Sequence, residues 1–201
     1  SSINGTTWAA TTVSANAYNA ISYGLNGSTP TFVAVGVAGQ ISYNITTSAS
    51  SVGTFISLTV SANAYNAVSS GTVNGIFNFI AVGAAGQVSR SLDGVNWTSI
   101  TVGAGVNNSV TNSPTLWMIS SAAGGASTSI YTSPDGLNYA AVTLPLAVTV
   151  NAANYFAGYA NPFVIITGGN GVYTTATPSV TSSWANYLGL QGLVLNELVG
   201  L

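Results

Sequence analysis

The chain has 201 residues and a formal net charge of −2, from one basic and three acidic side chains, with no His and no Cys. Without Cys there is no disulfide, thiolate nucleophile or thiolate zinc site, and one cation can neutralise neither a phosphate backbone nor an anionic bilayer surface. The length suits one domain, and a surface so poor in charge is expected to be covered by copies of itself, by other subunits or by glycans, the alternative being a free monomer kept soluble by Asn, Ser and Thr alone.

In chain order, the first segment with a pattern is Ser2-Ile3-Asn4-Gly5-Thr6-Thr7-Trp8, a polar turn with a Gly, closed by an aromatic. Residues 12–20 follow and recur letter for letter as residues 59–67. Residues 33–42 recur as residues 80–89 with conservative changes, again 47 positions on. Two blocks in one register make an internal repeat rather than shared composition. The turn heptad returns as Ser91-Leu92-Asp93-Gly94-Val95-Asn96-Trp97 and as Ser133-Pro134-Asp135-Gly136-Leu137-Asn138-Tyr139. Its closing aromatic falls at Trp8, Phe55, Trp97, Tyr139 and Trp184, giving spacings of 47, 42, 42 and 45. Between residues 44 and 55 an insertion replaces the Asp-Gly turn, and the last repeat drifts, with Leu188 where the others carry Thr.

Within a unit, four β-branched or aromatic runs alternate with turn residues. In the second unit they are residues 65–69, 77–82, 87–91 and 97–102. Gly86 and Gly94 sit where hairpin turns need a positive φ. Four strands in about 45 residues is the pattern of a propeller blade. The expectation is an all-β fold, a small β-propeller of about four four-stranded blades. The units span 13–59, 60–101, 102–143 and 144–188, with 1–12 a stray fourth-strand segment and 189–201 an apolar tail for docking or closure. Residues 8–13 could close the ring beside residues 171–175 and displace the Trp184 segment. Otherwise the ring is open and completed by a neighbouring chain.

The Ser-x-Asp-Gly-x-x-Trp heptad resembles the Asp-box of sialidase-type (BNR) β-propellers, and the preceding residues 79–88 resemble the repeats of that group, common in phage and secreted proteins. The resemblance covers roughly residues 2–184. It implies that the heptad turns between the third and fourth strands of a blade, with its aromatic packed between blades. Asn4 and Tyr139 are conservative departures from that pattern, and Phe55 without an Asp-Gly turn is a larger one.

Sialidase chemistry does not follow from the resemblance. Glycoside hydrolysis needs two carboxyl groups, or a Tyr nucleophile with a carboxylate, and sialidases add a cluster of Arg for the substrate carboxylate. This chain has only Arg90, and Asp93 and Asp135 belong to the turns. A short carboxylate at the head of a turn accepts backbone N–H bonds and fixes it, which reads better than a catalytic or Ca²⁺ role. Arg90 reads as a solvated or locally paired side chain. Triads and dyads fail for lack of His and Lys, metal sites fail for lack of ligands, and the Gly-rich residues 168–171 read as a turn. The expectation is no enzyme, no cofactor and no metal.

Binding remains. The Asn-Ala-Tyr-Asn motif places Tyr18, Asn19, Tyr65 and Asn66 at the start of inner strands, with Asn107, Asn108 and Tyr155 at later equivalents. Together they could ring one face as a glycan-binding surface, or the Tyr side chains fill the core between blades. Sequons start at Asn4, Asn26, Asn44, Asn96 and Asn107. The reading is a non-enzymatic structural or adhesion component of an extracellular particle, a phage virion above all, as a capsid decoration, tail or fibre protein. Its partners would be copies of itself or other subunits and a cell-surface glycan, with no nucleic acid and no membrane insertion. A secreted lectin-like propeller is the alternative. An outer-membrane barrel is a third reading, against which the turn heptad and the period argue.

Overall fold

A computed structural model describes residues 6–7, 12–46, 54–122, 128–144, 148–168 and 171–186. Asn4, Trp8, Leu188 and the tail 189–201 lie outside these. The described residues form four four-stranded antiparallel sheets, each a meander of consecutive strands. The first blade holds β1 (Tyr18–Asn26), β2 (Thr29–Gly36), β3 (Gln40–Ile45) and β4 (Ile56–Thr59). The second holds β5 (Tyr65–Val73), β6 (Ile76–Gly83), β7 (Gln87–Ser91) and β8 (Thr98–Thr101). Blade 3 comprises β9 (Val106–Asn112), β10 (Trp117–Ala122), β11 (Thr128–Ser133) and β12 (Ala140–Thr143). Blade 4 comprises β13 (Val150–Tyr155), β14 (Phe163–Thr167), β15 (Val172–Thr175) and β16 (Ala185–Asn186).

Local chemistry explains the hairpins. Between β2 and β3, Ala38 and Gly39 adopt φ of 53° and 68°, and Gln40 N–H donates to the Val37 carbonyl. Two left-handed residues in succession turn a hairpin with the twist its strands need. Ala85 and Gly86 repeat the turn in blade 2, and Asn74-Gly75 makes the same left-handed pair between β5 and β6. Despite the insertion before Phe55, β4 keeps its place, with Ile56 opposite Tyr43 and Thr59 opposite Gln40.

In blades 2 and 3 the second strand is strongly apolar because a neighbouring blade packs on each of its faces. In β6, Phe79, Ile80, Ala81 and Val82 are all fully buried. Phe79 and Ala81 join Val33, Val35 and Ile41 in the core between blades 1 and 2. Ile80 and Val82 meet Val110, Trp117 and Ile119 between blades 2 and 3. Met118, Ile130 and Val142 meet Val150, Phe163 and Ile165 between blades 3 and 4. Each fully buried side chain of this size stabilises the fold by about 1.5–3 kcal/mol, so the blade-to-blade cores hold the molecule together.

The innermost strands abut in the order β1, β5, β9, β13, and no comparable packing returns from β13 to β1 among the described residues. The blades form an open arc. The place beside β15 is held by β16, with Asn186 opposite Tyr173 and Ala185 opposite Thr174, and residues 8–11 of the segment expected to close the ring lie outside the described residues. Trp184 is anchored in the core between blades 3 and 4, so its segment is not displaced.

Candidate functional site

The residues expected to ring one face with Tyr and Asn side chains do lie along the innermost strands, but they serve the blades. Asn19, Asn66 and Asn108 sit at irregularities in the pairing of β1, β5 and β9 with their neighbours. A bulge re-aims the side chain it carries. Asn19 Nδ2 donates to the Tyr65 carbonyl at 2.7 Å, Asn66 Nδ2 to the Asn107 carbonyl at 3.0 Å, and Asn108 Nδ2 to the Val150 carbonyl at 2.9 Å. One amide per blade thus ties each inner strand to the next. Tyr65 is fully buried, with its hydroxyl 2.6 Å from Ser89 Oγ. Asn107 is fully buried as well. Neither offers an atom to a ligand, because the adjoining blade covers both. Tyr155 is half-buried and leans on Phe163, ring centroids 5.0 Å apart. Of the seven residues, Tyr18 alone combines an aromatic ring with substantial exposure, at 36%.

The turn heptads form two matching devices between third and fourth strands. Asp93 Oδ1 accepts the N–H groups of Val95 and Asn96, both at 2.8 Å, while Oδ2 accepts from Asn96 Nδ2 at 2.8 Å. Ser91 Oγ accepts the Gly94 N–H at 2.8 Å and donates to Asp93 Oδ1 at 2.9 Å. Ser133, Asp135, Gly136 and Asn138 repeat this set. Burial works against each carboxylate's charge, but the converging hydrogen bonds outweigh it and hold both groups below the usual carboxylate range. Gly94 and Gly136 have φ of 78° and 75°, and a Cβ on either would meet the preceding blade, 2.8 Å from Thr31 or 2.9 Å from Ile80. The closing aromatics press on the cores between blades: Trp97 against blades 1 and 2, Tyr139 against blades 2 and 3, and Trp184 against blades 3 and 4. Trp97 Nε1 also donates to the Gly94 carbonyl at 3.0 Å. Both carboxylates are committed to structure. Among the described residues no cluster of three potential metal ligands occurs.

A hollow of about 400 Å³ between the outer strands of blades 2 and 3 is lined by Ile100, Val102, Tyr131 and Tyr139. Beneath it the Tyr139 hydroxyl is buried without a partner, as is Arg90 Nε. Burial, and then the Asp135 charge, push the Tyr139 phenol far up against the opposing pull of Arg90. It is a weak acid there.

The larger candidate surface is one that sequence reasoning missed. The face of blade 1 turned away from blade 2 carries Ile21, Tyr23 and Leu25 on β1, which are 62%, 49% and 50% exposed. The register sets Ala34, Phe32 and Pro30 of β2 beside them. The Tyr23 and Phe32 rings meet at 4.8 Å between centroids. A second hollow of about 400 Å³ opens here, lined by Val13, Tyr18, Asn19, Ala20, Ile21, Ala34 and Phe55. The signal was in the repeat itself: at the positions of Ser70 and Thr72 in the second unit, the first has Tyr23 and Leu25.

No family model matches the chain, and no curated protein matches it. Solved structures do. The chain is similar to the WD40 β-propeller domain of Doa1 (TM-score 0.60, 11% identity), with 93% of this chain and 60% of that one covered. It is similar to the Neurospora crassa Pan2 WD40 domain (TM-score 0.59, 12% identity), with 87% and 54% covered. It is similar also to Ycf48 bound to a D1 peptide (TM-score 0.54, 12% identity), with 85% and 53% covered. At these identities the likeness shows the β-propeller fold alone. The chain spans between half and two thirds of the length of each neighbour.

Proposed function

We propose that this arc of blades is a non-enzymatic structural or adhesion component of an extracellular particle, a phage virion in the reading that its repeats favour, joined to its assembly through the open face of blade 1. The observation that carries the proposal is that face. A contiguous exposed apolar sheet surface marks an interaction site rather than ordinary solvent-facing surface. The near-absence of charge supports the same reading, since such a surface resists association poorly. The two Ser-Asp-Gly turns, with their matching hydrogen bonds, support a repeat of the Asp-box type. That Ycf48 is bound to a peptide in a fold like this one supports a protein as partner.

The test is the native state of the protein as it comes from its source. The expected outcome is a particle in which the chain is present at fixed stoichiometry. A free protein of 20.1 kDa that is retained on polysaccharide resin would sink this reading and put the lectin-like alternative in its place.

A further inference from the structure

We propose that the interface between blades 2 and 3 encloses a water-binding site, built by Asn78, Arg90, Trp117 and Tyr139. The site is independent of what the molecule assembles with.

The repeat supplies the comparison. The same four places recur at each interface between blades, as the strand registers show. Between blades 1 and 2 they hold Thr31, Tyr43, Phe79 and Trp97, and between blades 3 and 4 they hold Leu116, Thr132, Phe163 and Trp184. None of these eight buries a polar atom without a partner. Trp97 Nε1 donates to the Gly94 carbonyl at 3.0 Å, and Trp184 Nε1 to the Pro178 carbonyl at 3.4 Å. Between blades 2 and 3 the places hold Asn78, Arg90, Trp117 and Tyr139 instead. Each of the four buries one polar atom that no described group meets: Asn78 Oδ1, Arg90 Nε, Trp117 Nε1 and Tyr139 Oη.

The register brings the four to one level of the interface. Arg90 on β7 is opposite Ile80 on β6. A Cβ on Gly136 of blade 3 would stand 2.9 Å from Ile80 Cδ1 and 3.6 Å from Arg90 Nε. The Gly136 N–H is held by Ser133, which is opposite Trp117. Trp117 is also opposite Asn112, whose amide lies against Gly71, and Gly71 is opposite Asn78. Tyr139 closes the turn that contains Gly136 and packs on the core that contains Ile80 and Trp117.

The chemistry of the set selects its occupant. Arg90 Nε–H and Trp117 Nε1–H can only donate, Asn78 Oδ1 can only accept, and the Tyr139 hydroxyl can do either. Asn78 Nδ2 donates to the Ile76 carbonyl at 3.2 Å, which leaves the oxygen as the free atom of that amide. Burial keeps the Tyr139 phenol protonated. A group enclosed here must accept from two N–H donors and donate to a carbonyl. Water does both, whereas a halide or a carboxylate has nothing to donate to Asn78, and a metal cation has nothing to accept from Arg90 and Trp117. Holding an ordered water costs less than leaving buried donors and acceptors unmet. A route for water is close, since Tyr139 also lines the hollow between the outer strands of these two blades.

The test is a high-resolution crystal structure of the purified chain, with a second crystal soaked in bromide. The expected result is a water within hydrogen-bonding distance of Asn78 Oδ1, Arg90 Nε and Trp117 Nε1, and no anomalous bromide signal there. Protein groups that pair these atoms directly overturn the proposal, and so does bromide in the site. In solution, Tyr139→Phe and Arg90→Met each remove one hydrogen-bonding group with little change of shape. Each should lower the folding equilibrium constant by about fivefold, and the double variant should lower it by less than the product, because both bonds end on the same water. Were the buried atoms simply unmet, removing one would stabilise the fold. A folding constant that is unchanged or raised by Tyr139→Phe therefore overturns the proposal, as do losses that multiply in full.

Discussion

Tyr18 and Tyr65 stand at the same place in two identical nine-residue segments, 47 positions apart. Their local bonds match: each hydroxyl meets a Ser on the third strand, Ser42 at 2.5 Å and Ser89 at 2.6 Å. Each of those Ser side chains meets a second Ser on the fourth strand at 2.7 Å. Yet Tyr18 is 36% exposed and Tyr65 is fully buried. Sequence and local hydrogen bonding are the same, so the difference comes from position in the arc alone. Blade 2 has blade 1 on this face, whereas no described blade packs on the same face of blade 1. The repeat unit specifies a blade, and the ends of the array decide which copies become surface.

The sharpest way to break this comparison is to truncate both side chains. Tyr65→Ala should cost about 4 kcal/mol, the usual scale for emptying a large aromatic site in a core. Tyr18→Ala should cost about 1 kcal/mol in the monomer. Urea denaturation of dilute protein reads both, and equal losses would mean that the arc position has no effect.

The turn carboxylates test the opposite point, that some devices depend on their own blade alone. Asp135→Ala and Asp93→Ala should each cost about 2 kcal/mol, since each leaves several backbone donors without their charged acceptor. Both folded-state pKa values lie below the unfolded ones. Their contribution is therefore complete above the ordinary carboxylate range and is lost as pH falls through the folded values. With no His in the chain, stability should stay flat from about pH 5 to 9 and decline only in acid. A titration of the urea midpoint against pH checks the shape, and Asp135→Asn should flatten the acid limb.

A smaller contrast lies in the amide ladder. Asn66→Ala should cost about 1.5 kcal/mol by stranding the Asn107 carbonyl between blades. Asn151, the equivalent in blade 4, has no following blade among the described residues to donate to, and its truncation should cost less than about 0.5 kcal/mol. Similar losses in urea would show that the ladder carries no energy.

The smallest effect should be a gain, alike in both blades. Ala38 and Ala85 both hold φ of 53°, a conformation that disfavours a Cβ, so Ala38→Gly and Ala85→Gly should each stabilise by about 0.5–1 kcal/mol. Unequal shifts in melting temperature would show that the turns feel the ends of the arc.

Much of the fold was readable in the chain. The 47-residue shift, the Asp-Gly turns and the four short runs per unit follow from period and backbone chemistry, which act within a few residues. The observed strands of blade 2 agree with the expected ones in number and order, though β5 extends to Val73 because Asn74-Gly75 rather than an earlier residue makes the turn. The binding surface was less legible. Tyr and Asn at the inner strands looked alike in every unit, and nothing local separates an Asn that binds a ligand from one that binds the next blade. The exposed row Ile21, Tyr23 and Leu25 reads in isolation as an ordinary alternating strand.

By itself, then, the sequence determined the blade: its strand count, its turns, and a composition without His or Cys. Only the tertiary structure decided that the ladder of Asn19, Asn66 and Asn108 runs between blades, that β16 pairs with β15 in blade 4, and that no described blade packs on the face of blade 1 turned away from blade 2. The reason is physical. Turn geometry and hydrogen-bonding capacity belong to residues close in the chain, whereas burial belongs to whatever packs against a face, and that is set by how the blades are arrayed.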